Sequence, residues 1–178
     1  RGKWVLRCSH PADLPPAGTG ELKAFARAAP AFAGMGCTLV GLSVDSLPAH
    51  LAWVDAIRQR FGVTIPFPIV EDPSLAIARA YGMLDMSARG SATVRAAYVI
   101  DPHGVIQALI WYPMTVGRSV GELLRLLAAL QRVEKGDALA PEGWRPGSPV
   151  ALPACQMQDA VTEAGPDWFM TLQPDGAK

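Results

Sequence analysis

The sequence is short of charge. Only 18% of its 178 residues are Asp, Glu, Lys or Arg, and 16 basic residues against 16 acidic ones leave a formal net charge of 0. Without an excess of cations there is no polybasic face to hold phosphates, which argues against a nucleic-acid partner. Long apolar runs are also missing: stretches such as Leu123 to Leu130 fall far short of the roughly 20 residues of a membrane span. No secretory leader precedes Trp4, where Arg1-Gly2-Lys3 leads into a brief apolar run, so the expected location is cytoplasmic. Cysteine is scarce. Cys8, Cys37 and Cys155 are an odd count without CxxC spacing, which suggests neither a disulfide framework nor a zinc site. No two histidines stand at ligand spacing, so no metal and no cofactor are expected. Gly34-Met35-Gly36 and Gly117-Arg118-Ser119 lack the strand–glycine–helix context of a phosphate loop.

What is present is a core. Half the residues are hydrophobic, and the length fits one domain with a short appendage. Trp4 to Cys8 predicts a short strand, ended by Ser9-His10-Pro11. A proline-rich turn over Pro11 to Pro16 leads into a helix at Glu21 to Ala29, with Leu22, Phe25 and Ala26 at helical spacing. Cys37 to Val44 is nearly all apolar, as in a parallel strand covered on both faces. Pro48 suits the first turn of a helix reaching Arg60. A weak strand follows at Phe67 to Val70, then a helix from a Ser74 cap to Tyr81, stopped by Gly82. Val94 to Ile100 and Val105 to Tyr112 flank Asp101-Pro102-His103-Gly104, which predicts a hairpin. Ser119 to Val133 is the strongest helix, with Leu123, Leu124, Leu127 and Leu130 on one stripe. From Gly136 onward periodicity fades; Trp144, Trp168 and Phe169 there are expected to be buried against the core or a partner subunit. The order predicts an α/β fold with a parallel core and a late antiparallel hairpin, most simply thioredoxin-like.

Gly2-Lys3-Trp4, Ser9-His10-Pro11-Ala12-Asp13 and Glu21 resemble the active-site region of peroxiredoxins, most of all the one-cysteine, peroxiredoxin 6-like subgroup. The resemblance runs on in order through Gly41 to Ser46, Ile65 to Ile69, Thr93-Val94-Arg95, Tyr112-Pro113, Gly117-Arg118 and Asp167-Trp168-Phe169. It implies a peroxiredoxin-type thioredoxin core over residues 1–135 and a C-terminal extension over 136–178 that helps form a homodimer. The family also begins with an N-terminal strand pair ahead of Gly2-Lys3-Trp4; trimming of the sequence is the favoured explanation of its absence here.

The resemblance stops at the reacting atom. The family pattern is Pro, three residues, Thr or Ser, two residues, then the peroxidatic Cys. Here Pro11 is followed by Pro15 in place of the hydroxyl and Gly18 in place of the thiol. Peroxide reduction needs a thiolate to attack the O–O bond, and glycine offers none. By the resemblance, Arg95 is the arginine that stabilises thiolate and peroxide, Glu21 orients it, and His10 stands beside the cysteine as acid or base. These three are the expected catalytic residues. Arg7, inside a covered strand, is expected either to hold an anionic ligand in the pocket or to extend its head to water. Arg7, Pro11 and Gly18 are the expected substrate-binding residues, glycine widening the cleft for something larger than hydrogen peroxide. Asp45 is expected to cap the loop after it, and His50 and His103 to lie on a helix face and in a turn.

Three functions remain open from sequence alone. The leading expectation is a former peroxidase recruited to a cofactor-free acid–base, cyclisation or isomerisation reaction in a biosynthetic pathway. Its alternatives are a non-catalytic binding or assembly subunit, and a hydroperoxide reductase using a displaced thiol such as Cys8. Expected partners are a small-molecule substrate and a second copy of the chain, with no nucleic acid and no membrane.

Overall fold

Strand β1 (Trp4–Ser9) is the middle strand of a five-stranded sheet. In the computed structural model, residues 2–14, 16–84 and 93–176 are described; Pro15 lies outside them. The chain divides into two units, Arg1–Val120 and Gly121–Lys178.

In the first unit β1 pairs in parallel with β2 (Cys37–Ser43), and β2 in parallel with β3 (Ile69–Glu71). On its other side β1 runs antiparallel to β4 (Arg95–Ile100), which turns back into β5 (Ile106–Tyr112). The sheet order is β3-β2-β1-β4-β5, the parallel core with a late hairpin that the element order predicts. The hairpin closes as its residues require: Gly104 has φ 91°, and the Asp101 carboxylate accepts the N–H groups of His103 and Val105, each at 2.9 Å. Where β2 meets β3, a Cβ on Gly41 would stand 3.2 Å from the Ile69 side chain, so glycine allows the close pairing there.

Helix α1 (Pro16–Gly34) lies over the sheet face that carries Leu6, Cys8 and Leu39. It starts earlier and ends later than its pattern predicts. Pro16 fits a first helical position, where no N–H is needed, and Pro30 is carried inside the last turns. Helix α2 (Leu47–Phe61) has proline in its first turn and ends on Gly62 in the left-handed region, φ 64°. Its Trp53 and Ile57 pack with Leu22 of α1. Helix α3 (Ala76–Ala80) covers the opposite sheet face, where Ala78 and Met83 meet Leu42, Ala96 and Tyr98. Ser74 Oγ accepts the Ala76 N–H at 3.4 Å, but the shorter bonds go to Asp72, which receives the N–H groups of Ile77 and Ala78 at 3.2 and 2.7 Å.

The second unit holds α4 (Val120–Val133), β6 (Val150–Ala151), α5 (Gln158–Ala164) and β7 (Leu172–Gln173), with β6 and β7 antiparallel. Trp144 is buried among Ala129, Ala138 and Val150 of the same unit. Phe169, expected to be buried, is 66% exposed. No described helix is long and apolar enough to cross a membrane.

Candidate active site

Strand alternation sorts the residues of the first unit. Leu6 and Cys8 point to the α1 face of β1, and Arg95 and Ala97 share that face on β4, since Ala97 stands opposite Cys8. Arg7 points the other way, its guanidinium 4.2 Å from the centre of the Tyr81 ring. The structure therefore does not bring Arg7 to the other expected site residues. Its Nε and Nη1 are buried without a hydrogen-bond partner among the described residues, and stacking on Tyr81 is the compensation in view.

Glu21, in α1, is the centre of a buried cluster. Its Oε2 accepts Arg95 Nη1 at 2.5 Å and Arg118 Nη2 at 2.8 Å. Its Oε1 accepts the Arg118 backbone N–H at 2.6 Å and Nε at 3.1 Å. Arg118 also donates to the Ser9 and Ala96 carbonyls at 2.9 and 2.6 Å, and Arg95 to that of Met114 at 3.2 Å. So Glu21 does hold Arg95, but it holds a second arginine as firmly. Two guanidiniums against one carboxylate leave the buried cluster with a net positive charge, a setting that favours a thiolate or an oxyanion. Arg95 Nε is buried and without a partner among the described residues. Burial works against the charge on Arg118, but the negative charge available at Cys8 and Glu21 raises its pKa above the ordinary value.

His10 belongs to a second network. Its Nε2 donates to Asp13 Oδ1 at 2.8 Å, and His50 Nδ1 donates to Asp13 Oδ2 at 2.6 Å. The side chains of His10, Asp13 and His50 are only 2 to 3% exposed. His50 is thus no surface histidine: α2 turns it inward, beneath the loop after β1. Asp45 likewise braces that earlier loop, accepting the Asp13 N–H at 2.6 Å. Thr93 adds a bond to the His10 carbonyl at 2.9 Å, and the Trp53 ring lies 5.2 Å from the imidazole. Burial lowers the His10 pKa, with Asp13 opposing. Burial disfavours the Asp13 carboxylate, but the hydrogen bonds of the two histidines outweigh it and hold its pKa below the usual value.

The two networks meet at a small cavity of about 10 Å³, lined by Cys8, His10 and Arg118 together with Leu22, Phe25 and Gly41. That is room for about one water-sized molecule. Gly18 is buried in α1, and a Cβ there would meet only Trp53, at 3.6 and 3.7 Å. The indole occupies the space that glycine was expected to open, so no large cleft lies at this cavity. Pro11 is buried beside His10. Burial pushes the Cys8 thiol up to about 11, Arg118 opposing and Glu21 adding. Among the described residues no group of three His, Cys, Asp or Glu side chains could hold a metal ion.

Arg118, Asp13 and His50 are the members that sequence reasoning passed over. Arg118 was visible only as half of Gly117-Arg118. Asp13 and His50 stand far apart in sequence, and no local spacing announces their pairing.

Residues 1–109 match the AhpC/TSA family. The chain is 44% identical to peroxiredoxin 2 of Caldanaerobacter subterraneus, over 86% of this chain and 69% of that protein. Among solved structures, peroxiredoxin 6 of Arenicola marina superposes with a TM-score of 0.80 at 30% identity, covering 91% of this chain and 74% of that one. The 1-Cys peroxiredoxin of yeast mitochondria gives 0.79 at 35% identity, covering 85% and 75%. The fold is the thioredoxin-like fold of peroxiredoxins. These relatives overturn the leading functional expectation. Named relatives at 35 to 44% identity over most of the chain are peroxiredoxins, which points to peroxide chemistry and away from a cofactor-free biosynthetic reaction.

Proposed function

The chain belongs to the AhpC/TSA family, the peroxiredoxins, and on that premise we propose that it reduces hydroperoxides with Cys8 as the thiol and His10 as the base. We place it in the one-cysteine, peroxiredoxin 6-like subgroup, with Gly18 where that subgroup has its peroxidatic cysteine. The observation that carries the reading is the cavity shared by Cys8, His10 and Arg118. A thiol, a base oriented by a carboxylate, and a cation all border that cavity.

A thiol at about 11 is almost wholly protonated at neutral pH, so the reaction depends on a base. His10 donates from Nε2 to Asp13, which leaves Nδ1 to take the Cys8 proton. The Cys8 sulfur attacks one peroxide oxygen, the O–O bond breaks, and the leaving alkoxide or hydroxide takes the proton from His10. The products are Cys8 sulfenic acid and an alcohol or water. An external thiol then condenses with the sulfenic acid, releasing water, and a second external thiol restores Cys8. The Arg95–Glu21–Arg118 cluster supplies positive charge as negative charge passes from sulfur to oxygen. A cytoplasmic place suits this chemistry, because the cysteines must stay reduced.

The second partner in this reading is another copy of the chain. Outer strand β5 has an edge unpaired among the described residues and exposes Ile106, Leu109 and Trp111, a surface suited to edge pairing. Residues 136–178 take the part of the dimer-associated extension.

The test is peroxide consumption with a small thiol as reductant. The unaltered protein turns over and Cys8→Ser does not; an inert protein, or an active Cys8→Ser variant, would refute the assignment.

A further inference from the structure

Asp13 has both carboxylate oxygens engaged, Oδ1 by His10 Nε2 at 2.8 Å and Oδ2 by His50 Nδ1 at 2.6 Å. An ionised carboxylate only accepts, so each imidazole carries a proton on the nitrogen that faces it. The far nitrogen of His50, Nε2, is buried with no partner among the described residues. An unpaired lone pair is tolerated there better than an unpaired N–H, and far better than a buried imidazolium. The geometry therefore suits the His50 tautomer with its proton on Nδ1. Nothing in the reaction sequence above uses it, yet α2 delivers it to the carboxylate that orients the base.

We propose that His50 is a positioning residue: by holding Asp13 Oδ2 it keeps Oδ1 turned to His10 Nε2 and limits how strongly Asp13 favours protonated His10. This rests on the hydroperoxide reading, in which His10 Nδ1 accepts the thiol proton. The groups that face the pair are few. Asp13 and the Asp45 carboxylate behind its N–H come from the loops after β1 and β2. Ser43 Oγ donates to Asp13 Oδ1 at 3.3 Å, and Arg118 and Cys8 border His10 across the cavity. Trp53 closes the α2 side. Only Asp13 accepts from both rings. Removing His50 would leave its carboxylate to His10 alone, stabilising the imidazolium and silencing the base at a higher pH.

The experiment is a nitrogen-15 NMR titration of the histidine rings in the full chain, joined to the pH profile of peroxide consumption. Variants His50→Leu and His50→Asn are compared, the asparagine keeping an N–H for Asp13. The unaltered protein should show His10 protonated on Nε2 and His50 on Nδ1. In His50→Leu the His10 midpoint and the acid limb of the peroxide-consumption profile should both rise by about half a pH unit or more, and His50→Asn should return them. An Nδ1–H form of His10, or an unmoved His10 midpoint in a folded His50→Leu, would overturn the proposal. If His50→Leu does not fold, His50→Ala is read in its place, and an unmoved His10 midpoint there overturns the proposal. If the tautomers and midpoints come out as stated but peroxide is not consumed, the hydroperoxide reading fails and the positioning role of His50 stands.

Discussion

Position 18 is a place where one side chain changes the chemistry without disturbing the backbone. A Cβ on Gly18 would find ordinary contact with Trp53, and the residue lies in the first turns of α1, where peptide N–H groups favour a thiolate. Gly18→Cys is expected to fold and to consume peroxide at least about tenfold faster than the unaltered protein, because a thiol there ionises more readily than buried Cys8. Steady-state peroxide assays at neutral pH check this. Glu21 is the opposite case: it balances two buried guanidiniums at once. Glu21→Gln should lower stability by about 3–5 kcal/mol in urea unfolding, the cost of leaving a buried charge without its counter-ion. A loss below about 1 kcal/mol would show that the cluster is solvated, contrary to its burial.

Single elements show what the sequence makes legible. Strands β1 and β2 and the β4–β5 hairpin follow from apolar runs and from the Asp101–Gly104 turn, since both signals are local. The start of α1 was hidden because proline reads as a breaker, whereas Pro16 occupies a position that needs no N–H. Strands β6 and β7 have two residues each, too short to carry any period. In the site, Arg95 and Glu21 were legible through a family motif. The role of Arg118 and the burial of His50 were not, because their partners Glu21 and Asp13 lie on distant elements. The α3 cap gives an element-scale prediction: Asp72→Ala removes acceptors from two helix N–H groups and should cost about 1–2 kcal/mol, while Ser74→Ala should be near neutral. Urea midpoints of the two variants separate the cases.

For the whole molecule, the buried histidine–carboxylate network sets a direction of pH dependence. His10 has a pKa below 6.5 in the fold, so protons bind it more readily in the unfolded chain. Stability is therefore full above that value and declines as pH falls through 6.5 toward the folded pKa. Asp13 is likewise depressed below 3.8, and its contribution is lost at still lower pH, as acidity passes from the unfolded toward the folded value. Urea midpoints should fall between pH 7.5 and 5, and His10→Gln should flatten that decline. Assembly is expected at the same scale. Trp111→Glu on the exposed edge of β5 should lower the mass measured by light scattering, since a buried charge would oppose strand pairing.

The most direct measurement is mass spectrometry of the intact protein after brief exposure to hydrogen peroxide and a sulfenic-acid trapping reagent. One adduct mapped to Cys8, absent in Cys8→Ser and weakened in His10→Gln, is the result expected of a displaced peroxidatic thiol. A Cys8 that stays unmodified while the protein consumes peroxide, or an adduct found at Cys37 or Cys155 instead, would contradict it.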